Sequence, residues 1–138
     1  MPYSEADKIK KIVDEAKRII IIQADNPDAD SLGSALAMEH ILGDLGKEPY
    51  LYAGVEMPTY LRYMSGWDRV QKELPNQFDA SVIVDASTMT LLEKLSLSGQ
   101  QARVAAKPCI VDTFINCIVG AFIPIHSVNI CRSWHGIC

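Results

Sequence analysis

The stretch IIIIQADNPDADSLGSALAMEHIL, Ile19–Leu42, decides the fold. Ile19 to Ile22 is a continuous β-branched run, which predicts a strand buried on both faces. Asn26-Pro27 then breaks the chain. A helix is predicted from about Ser31 to Leu45, with Asp30 as its N-cap and Gly46 as its C′ stop. Upstream, Ser4 and Asp7 have capping-box spacing, and Ile9, Ile12, Val13 and Ala16 share one face of a helix from Glu5 to about Lys17. Downstream, Pro49–Ala53 reads as a short strand, Pro58–Met64 as a helical turn and Trp67–Phe78 as a partly ordered loop. Ala80–Val84 is a strand, Thr88–Leu95 a helix, and Lys107–Val111 a further short strand. Strands alternating with helices predict an α/β fold, a parallel sheet of about four or five strands flanked by helices.

The 138 residues make one domain with room for a real core. A net charge of −4 argues against a nonspecific nucleic-acid coat, which needs a basic face. The charged amino terminus has no apolar signal core, and Ile19–Ile22 is too short to cross a bilayer, so a cytoplasmic protein is expected. Cys109, Cys117, Cys131 and Cys138 are then thiols, and with His126 and His135 they match no standard zinc spacing. His40 falls on the second helix in a structural or exposed place.

Three predicted strands lead into aspartate: the first into Asp25, Asp28 and Asp30, the third into Asp85, the fourth into Asp112. In an open parallel sheet the carboxyl ends of the strands share one edge, where ligands bind. So many like charges in one crevice raise one another's pKa unless a cation neutralises them. Hard oxygen donors favour Mg²⁺ or Mn²⁺. The plainer readings are a helix cap for Asp30 and an Asx turn for Asp85. Trp67, Tyr50, Tyr52, Tyr60 and Tyr63 could stack nucleobases, with packing as the competing role.

Ile19–Leu42 resembles the first motif of the DHH phosphoesterases, a hydrophobic strand followed by H-x-N-P-D-x-D-S-x-G-S and an amphipathic helix. VIVDASTMTLLEKL, Val82–Leu95, resembles their second motif. Members include RecJ-like exonucleases, oligoribonuclease/pAp-phosphatases, cyclic-dinucleotide phosphodiesterases and exopolyphosphatases. The resemblance spans residues 5–112, a partial catalytic domain. It implies a metal-dependent hydrolase acting on a short oligonucleotide, a nucleoside phosphate, a cyclic dinucleotide or a related phosphate ester, with two Mn²⁺ or Mg²⁺ ions. Asp28, Asp30 and Asp112 would be metal ligands, and Asp85 the catalytic carboxylate shared by both metals. Gly33 would let the helix approach the site closely.

Departures from the pattern fall on the ligands. Ala24 stands where the first-motif histidine belongs, with Gln23 and Asp25 as nearby oxygen donors. Thr113 and Phe114 stand where the D-H-H histidines belong, and Asn116 lies one position early. The fourth-motif aspartate and the second, substrate-binding domain are absent from the sequence. All 17 acidic residues lie at or before Asp112, and from Thr113 onward Arg132 is the only Lys or Arg. That change implies an atypical tail at 113–138, poorly ordered and produced by a reading frame that departs from the family. The expectation is a truncated chain with a weak or absent metal site, inactive or nearly so. One alternative is a non-catalytic remnant or nucleotide-binding scaffold. A weaker one is a haloacid-dehalogenase-type phosphatase with Asp28 and Asp30 as nucleophile and acid. Against it, Leu32 occupies the place of that class's Thr or Val, and Pro27 interrupts the junction of strand and aspartate.

Overall fold

The four isoleucines form the axis of the molecule. In the computed structural model, which describes residues 4–85, 92–97, 101–105, 107 and 109–112, strand β1 (Arg18–Ile22) has all four fully buried. β-Branched side chains suit this place because the pleated surface packs them on both sides. β1 is flanked by β2 (Glu48–Tyr52) and β3 (Ala80–Val84), and β4 (Cys109–Asp112) lies outside β3, giving the order β2-β1-β3-β4. Every pairing is parallel, with Ile22 opposite Tyr52 and Ile83, and Val84 opposite Asp112. The expected parallel α/β sheet is what the chain forms, with four strands among the described residues.

The alternation along β1 sorts the core into two layers. Ile19 and Ile21 pack with Ile9 and Val13 of α1 (Ser4–Glu15) and with Leu32, Ala35 and Leu42 of α2 (Ala29–Asp44). Ile20 and Ile22 pack with Leu95 of α3 (Glu93–Leu97) and Val104 of α4 (Gln101–Ala105). Helices therefore cover both faces, as a parallel sheet requires. No described helix is long and apolar enough to cross a membrane.

The second helix begins earlier than its sequence suggests. Its N-cap is Asp28, not Asp30, and Asp30 lies in the first turn. The Ser31 amide donates to Asp28 Oδ1 at 2.8 Å, and the Asp28 amide donates back to Ser31 Oγ at 2.9 Å. This reciprocal pair is a capping box, and it forms at Asp28 because Asp28 is extended (φ −118°) while Asp30 already lies within the helix. The carboxyl end closes as expected at Gly46, which has φ +75°. Gly46 N–H bonds Gly43 O at 3.0 Å and Lys47 N–H bonds Leu42 O at 2.9 Å, a Schellman arrangement. The first helix ends at Glu15 rather than Lys17, because Lys17 joins the sheet entry: its carbonyl accepts from Glu48 N–H at 2.8 Å.

Of the helix expected over Thr88–Leu95, residues 88–91 lie outside the described residues and α3 runs Glu93–Leu97; the expected strand at 107–111 is described as Cys109–Asp112. The tail at 113–138 lies outside the described residues.

Candidate active site at the strand switch point

The chain runs from β1 outward to β2, then returns across β1 to β3. The connections of β1 and β3 therefore leave in opposite directions. Their carboxyl ends open a crevice at this switch point, the place where open α/β sheets bind ligands. Asp28 and Asp30 lie after β1 on this side, and Asp85 lies directly after β3. Asp112 is the last residue of β4 and pairs with Val84, so the backbone brings it to the same edge; its side chain lies outside the described residues.

Asp85 is the one non-glycine residue with positive φ (+53°) among the described residues. Aspartate tolerates this left-handed conformation better than most side chains, yet such positions are uncommon and cluster at functional sites. Its carboxyl is pushed above the ordinary aspartate value, first by lost hydration at the strand end, then by the charges of Asp28 and Asp30. Asp85 therefore lies within the field of Asp28 and Asp30.

That repulsion sets a pH dependence. A carboxyl with a raised pKa favours its proton in the folded state, so stability falls as pH rises through the folded pKa. Asp85→Asn removes the charge and also suits the left-handed backbone. Its unfolding midpoint is expected to exceed the parent's by a few degrees at neutral pH in metal-free buffer. The gap should close on acidification below the ordinary carboxylate range, which thermal melts across pH will read. A gap that persists at acid pH would assign the gain to backbone conformation alone.

Nearby groups have other duties. Asp25 Oδ2 accepts the Lys94 amide of α3 at 2.8 Å, tying the loop after β1 to an element 69 residues away. It also raises the pKa of Tyr52, after burial of that phenol. Ala24, in the place of the family histidine, is buried in the apolar layer with Tyr52 and Leu92. Gln23 is fully buried, and among the described residues neither its Nε2 nor its Oε1 has a hydrogen-bond partner. A polar residue directly continuing an all-isoleucine strand was the visible signal for it. A methyl group at Gly33 would meet Met64 Cε at 3.6 Å, ordinary contact, so the fold itself does not require glycine there.

The carboxylates are donors of the kind Mg²⁺ or Mn²⁺ prefers. They do not close a metal centre by themselves: among the described residues, no three His, Cys, Asp or Glu side chains gather as an ion would require. Asp28 is also half committed, since its Oδ1 holds the helix cap. Of the aromatic candidates, Tyr52 is buried, the Tyr50 hydroxyl donates to the Glu73 carbonyl at 2.8 Å, and Trp67 lies under Arg62, 4.8 Å from guanidinium carbon to ring centre. Tyr60 and Tyr63 are exposed. His40 is exposed.

A cavity of about 420 Å³ opens at the opposite edge, beside Arg18, Asp79, Arg103 and Lys107. Two of its cations are engaged within the fold. Arg18 donates to Gln77 Oε1 at 2.7 Å, and Arg103 donates to the carbonyls of Pro75 and Asn76. Asp79 there accepts the Arg18 and Lys17 amides, which hold its carboxyl below the ordinary value. These contacts anchor the amino ends of β1 and β3, and they face away from the aspartates.

The fold has a solved counterpart. The chain is similar in structure to an exopolyphosphatase-related protein from Bacteroides fragilis, with a TM-score of 0.63 and 22% sequence identity. The match covers 78% of this chain and 33% of that one, so the chain spans about a third of that protein's length. At this identity the likeness establishes a shared fold. No family model and no curated protein sequence matches the chain.

Proposed function

We propose that this chain is the front part of a phosphoesterase of the DHH type, carrying an acidic site for a divalent cation at the switch point. The observation that carries the reading is the left-handed Asp85 at the end of β3, its carboxyl raised by burial and then by the charges of Asp28 and Asp30. Charges held this way at a cost to the fold are more typical of ligand sites than of structural ones. The motifs at Ile19–Leu42 and Val82–Leu95, and a solved neighbour named as exopolyphosphatase-related, support the same reading. The residues in question are Asp28, Asp30, Asp85 and Asp112, with Mn²⁺ or Mg²⁺ as the ion and a short nucleotide or related phosphate ester as the substrate class. When bound, a divalent ion neutralises such carboxylates and polarises a phosphoryl oxygen.

The chain as it stands holds that ion weakly and turns over little or no substrate. Ala24, Thr113 and Phe114 offer no imidazole where the resemblance places three, and Asp28 shares its carboxylate with the helix cap. A binding role without catalysis is the second reading, favoured by that same loss of ligands.

Mn²⁺ titration by calorimetry, alongside a chromogenic phosphodiester assay with and without chelator, tests both. Weak binding that Asp85→Ala abolishes, with no chelator-sensitive turnover, is the expected result. Absence of any Asp85-dependent binding would remove the cation site. Turnover that Asp85→Ala abolishes would show that the chain supplies ligands beyond those named.

A further inference from the structure

The segment between β2 and β3 carries a pattern the acidic site does not explain. Leu61 N–H bonds Pro58 O at 3.0 Å, Arg62 N–H bonds Thr59 O at 3.2 Å, and Met64 N–H bonds Leu61 O at 3.1 Å. Consecutive bonds of this kind give about three residues per turn, so residues three apart share a side. Leu61, Met64 and Trp67 accordingly face inward: Leu61 is fully buried, and the other two pack on the core layer of α1 and α2. Tyr60 and Tyr63 are on the other side, 65% and 76% exposed. Large apolar side chains left this open are few among the described residues, and two of the four lie on this one turn. Packing therefore accounts for the inward stripe and not for the outward pair.

The position of Tyr60 is fixed. The Tyr60 hydroxyl donates to the Pro27 carbonyl at 3.0 Å, across 33 residues of sequence. Pro27 immediately precedes Asp28, so this bond holds an exposed aromatic ring beside the loop that delivers Asp28 and Asp30. A phenol tethered at its oxygen keeps its ring face open, and it loses little freedom when a second ring stacks on it.

We propose that Tyr60, with Tyr63 next to it, is a stacking platform for the nucleobase of a base-bearing phosphate ester bound at the acidic edge. This rests on the phosphoesterase reading above and narrows it: a substrate with a base gains a contact that polyphosphate or a sugar phosphate cannot make. Stacking is sequence-tolerant because every base has a π face, so the platform selects for a base rather than for one base. Arg62 is not the selecting group. Its guanidinium is occupied by the Trp67 ring, the Met57 carbonyl and Glu56.

AMP and ribose 5-phosphate, which carry the same phosphate with and without a base, separate this inference from the reading beneath it. Their affinities are measured by calorimetry with Mn²⁺ on the full chain and on Tyr60→Ala, Tyr60→Phe and Asp85→Ala, each checked by its melting curve. Base stacking is worth roughly 1–3 kcal/mol per base, so AMP should bind the parent about fivefold to 150-fold tighter than ribose 5-phosphate. Tyr60→Ala should erase that difference and leave ribose 5-phosphate unchanged. Tyr60→Phe should retain part of it, because the ring stays and the tether goes. Asp85→Ala should weaken both ligands. Equal, Asp85-dependent binding of the two ligands, indifferent to Tyr60, overturns the platform and leaves the phosphate site standing. Equal loss of both ligands in Tyr60→Ala also overturns it, because the tyrosine would then merely position the Asp28 loop. Binding of neither ligand overturns both.

Discussion

Gly54→Ala is expected to lower the unfolding free energy by about 3 kcal/mol, from overpacking of roughly 1–3 kcal/mol together with a lost hydrogen bond of about 1 kcal/mol. Gly54 follows β2 at the carboxyl edge. A Cβ there would stand 2.4 Å from Lys94 Cβ and 2.8 Å from Asp25 Oδ1. Lys94 Cβ is rigidly attached to the backbone of α3, so no rotamer change relieves the first contact. Either α3 moves off or the Asp25 loop does, and each breaks the 2.8 Å bond from the Lys94 amide to Asp25 Oδ2. Denaturant melts read the loss directly. An unchanged midpoint would mean that α3 is free to shift outward, and that the Asp25 tie contributes little to stability.

Gln23→Met is expected to act in the opposite sense, raising stability by about 1–3 kcal/mol, the usual penalty of a buried polar group without a partner. The exchange roughly conserves volume, so no cavity or overpacking offsets the gain. The Gln23 amide is fully buried with both polar atoms unpartnered among the described residues, while its backbone N–H is paired with Tyr52 O at 3.0 Å. Only the side chain is at issue, therefore. A lowered midpoint in Gln23→Met would show that this amide is hydrogen-bonded in solution, by an ordered water or another group at the crevice. Polar groups retained at such cost beside a candidate site are a recurring sign of a ligand contact.

Both effects arise where the loops after β1 and β2 meet the rest of the fold, Gly54 and Asp25 against Lys94 of α3 and Gln23 against Tyr52, and such meetings are what sequence patterns carry least well. β1, β3 and the inward face of α1 were legible because each is a run of apolar residues at strand or helix period. The parallel α/β class followed from their alternation. The aspartates were legible as candidates because each follows a strand, and parallel strands bring their carboxyl ends to one edge. Their assignment between capping and binding was not legible. Asp28 and Asp30 differ by two positions, and both suit a helix start. The extended backbone at Asp28 and the reciprocal bonds with Ser31 made Asp28 the cap.

The sequence by itself determined the local periodicities, the order of strands and helices, and the presence of a dense acidic set in a chain with few cations nearby. Those features depend on neighbours within a few residues, where composition and spacing carry the signal. Tertiary structure alone decided that β1 and β3 lie side by side with a crevice between their ends, and that Asp85 sits there in a left-handed backbone under the field of Asp28 and Asp30. It alone joined Asp25 to Lys94 and Tyr60 to Pro27. Contacts across 69 and 33 residues have no signature in local sequence, because they are fixed by how the sheet orders its strands and where each loop is then forced to pass.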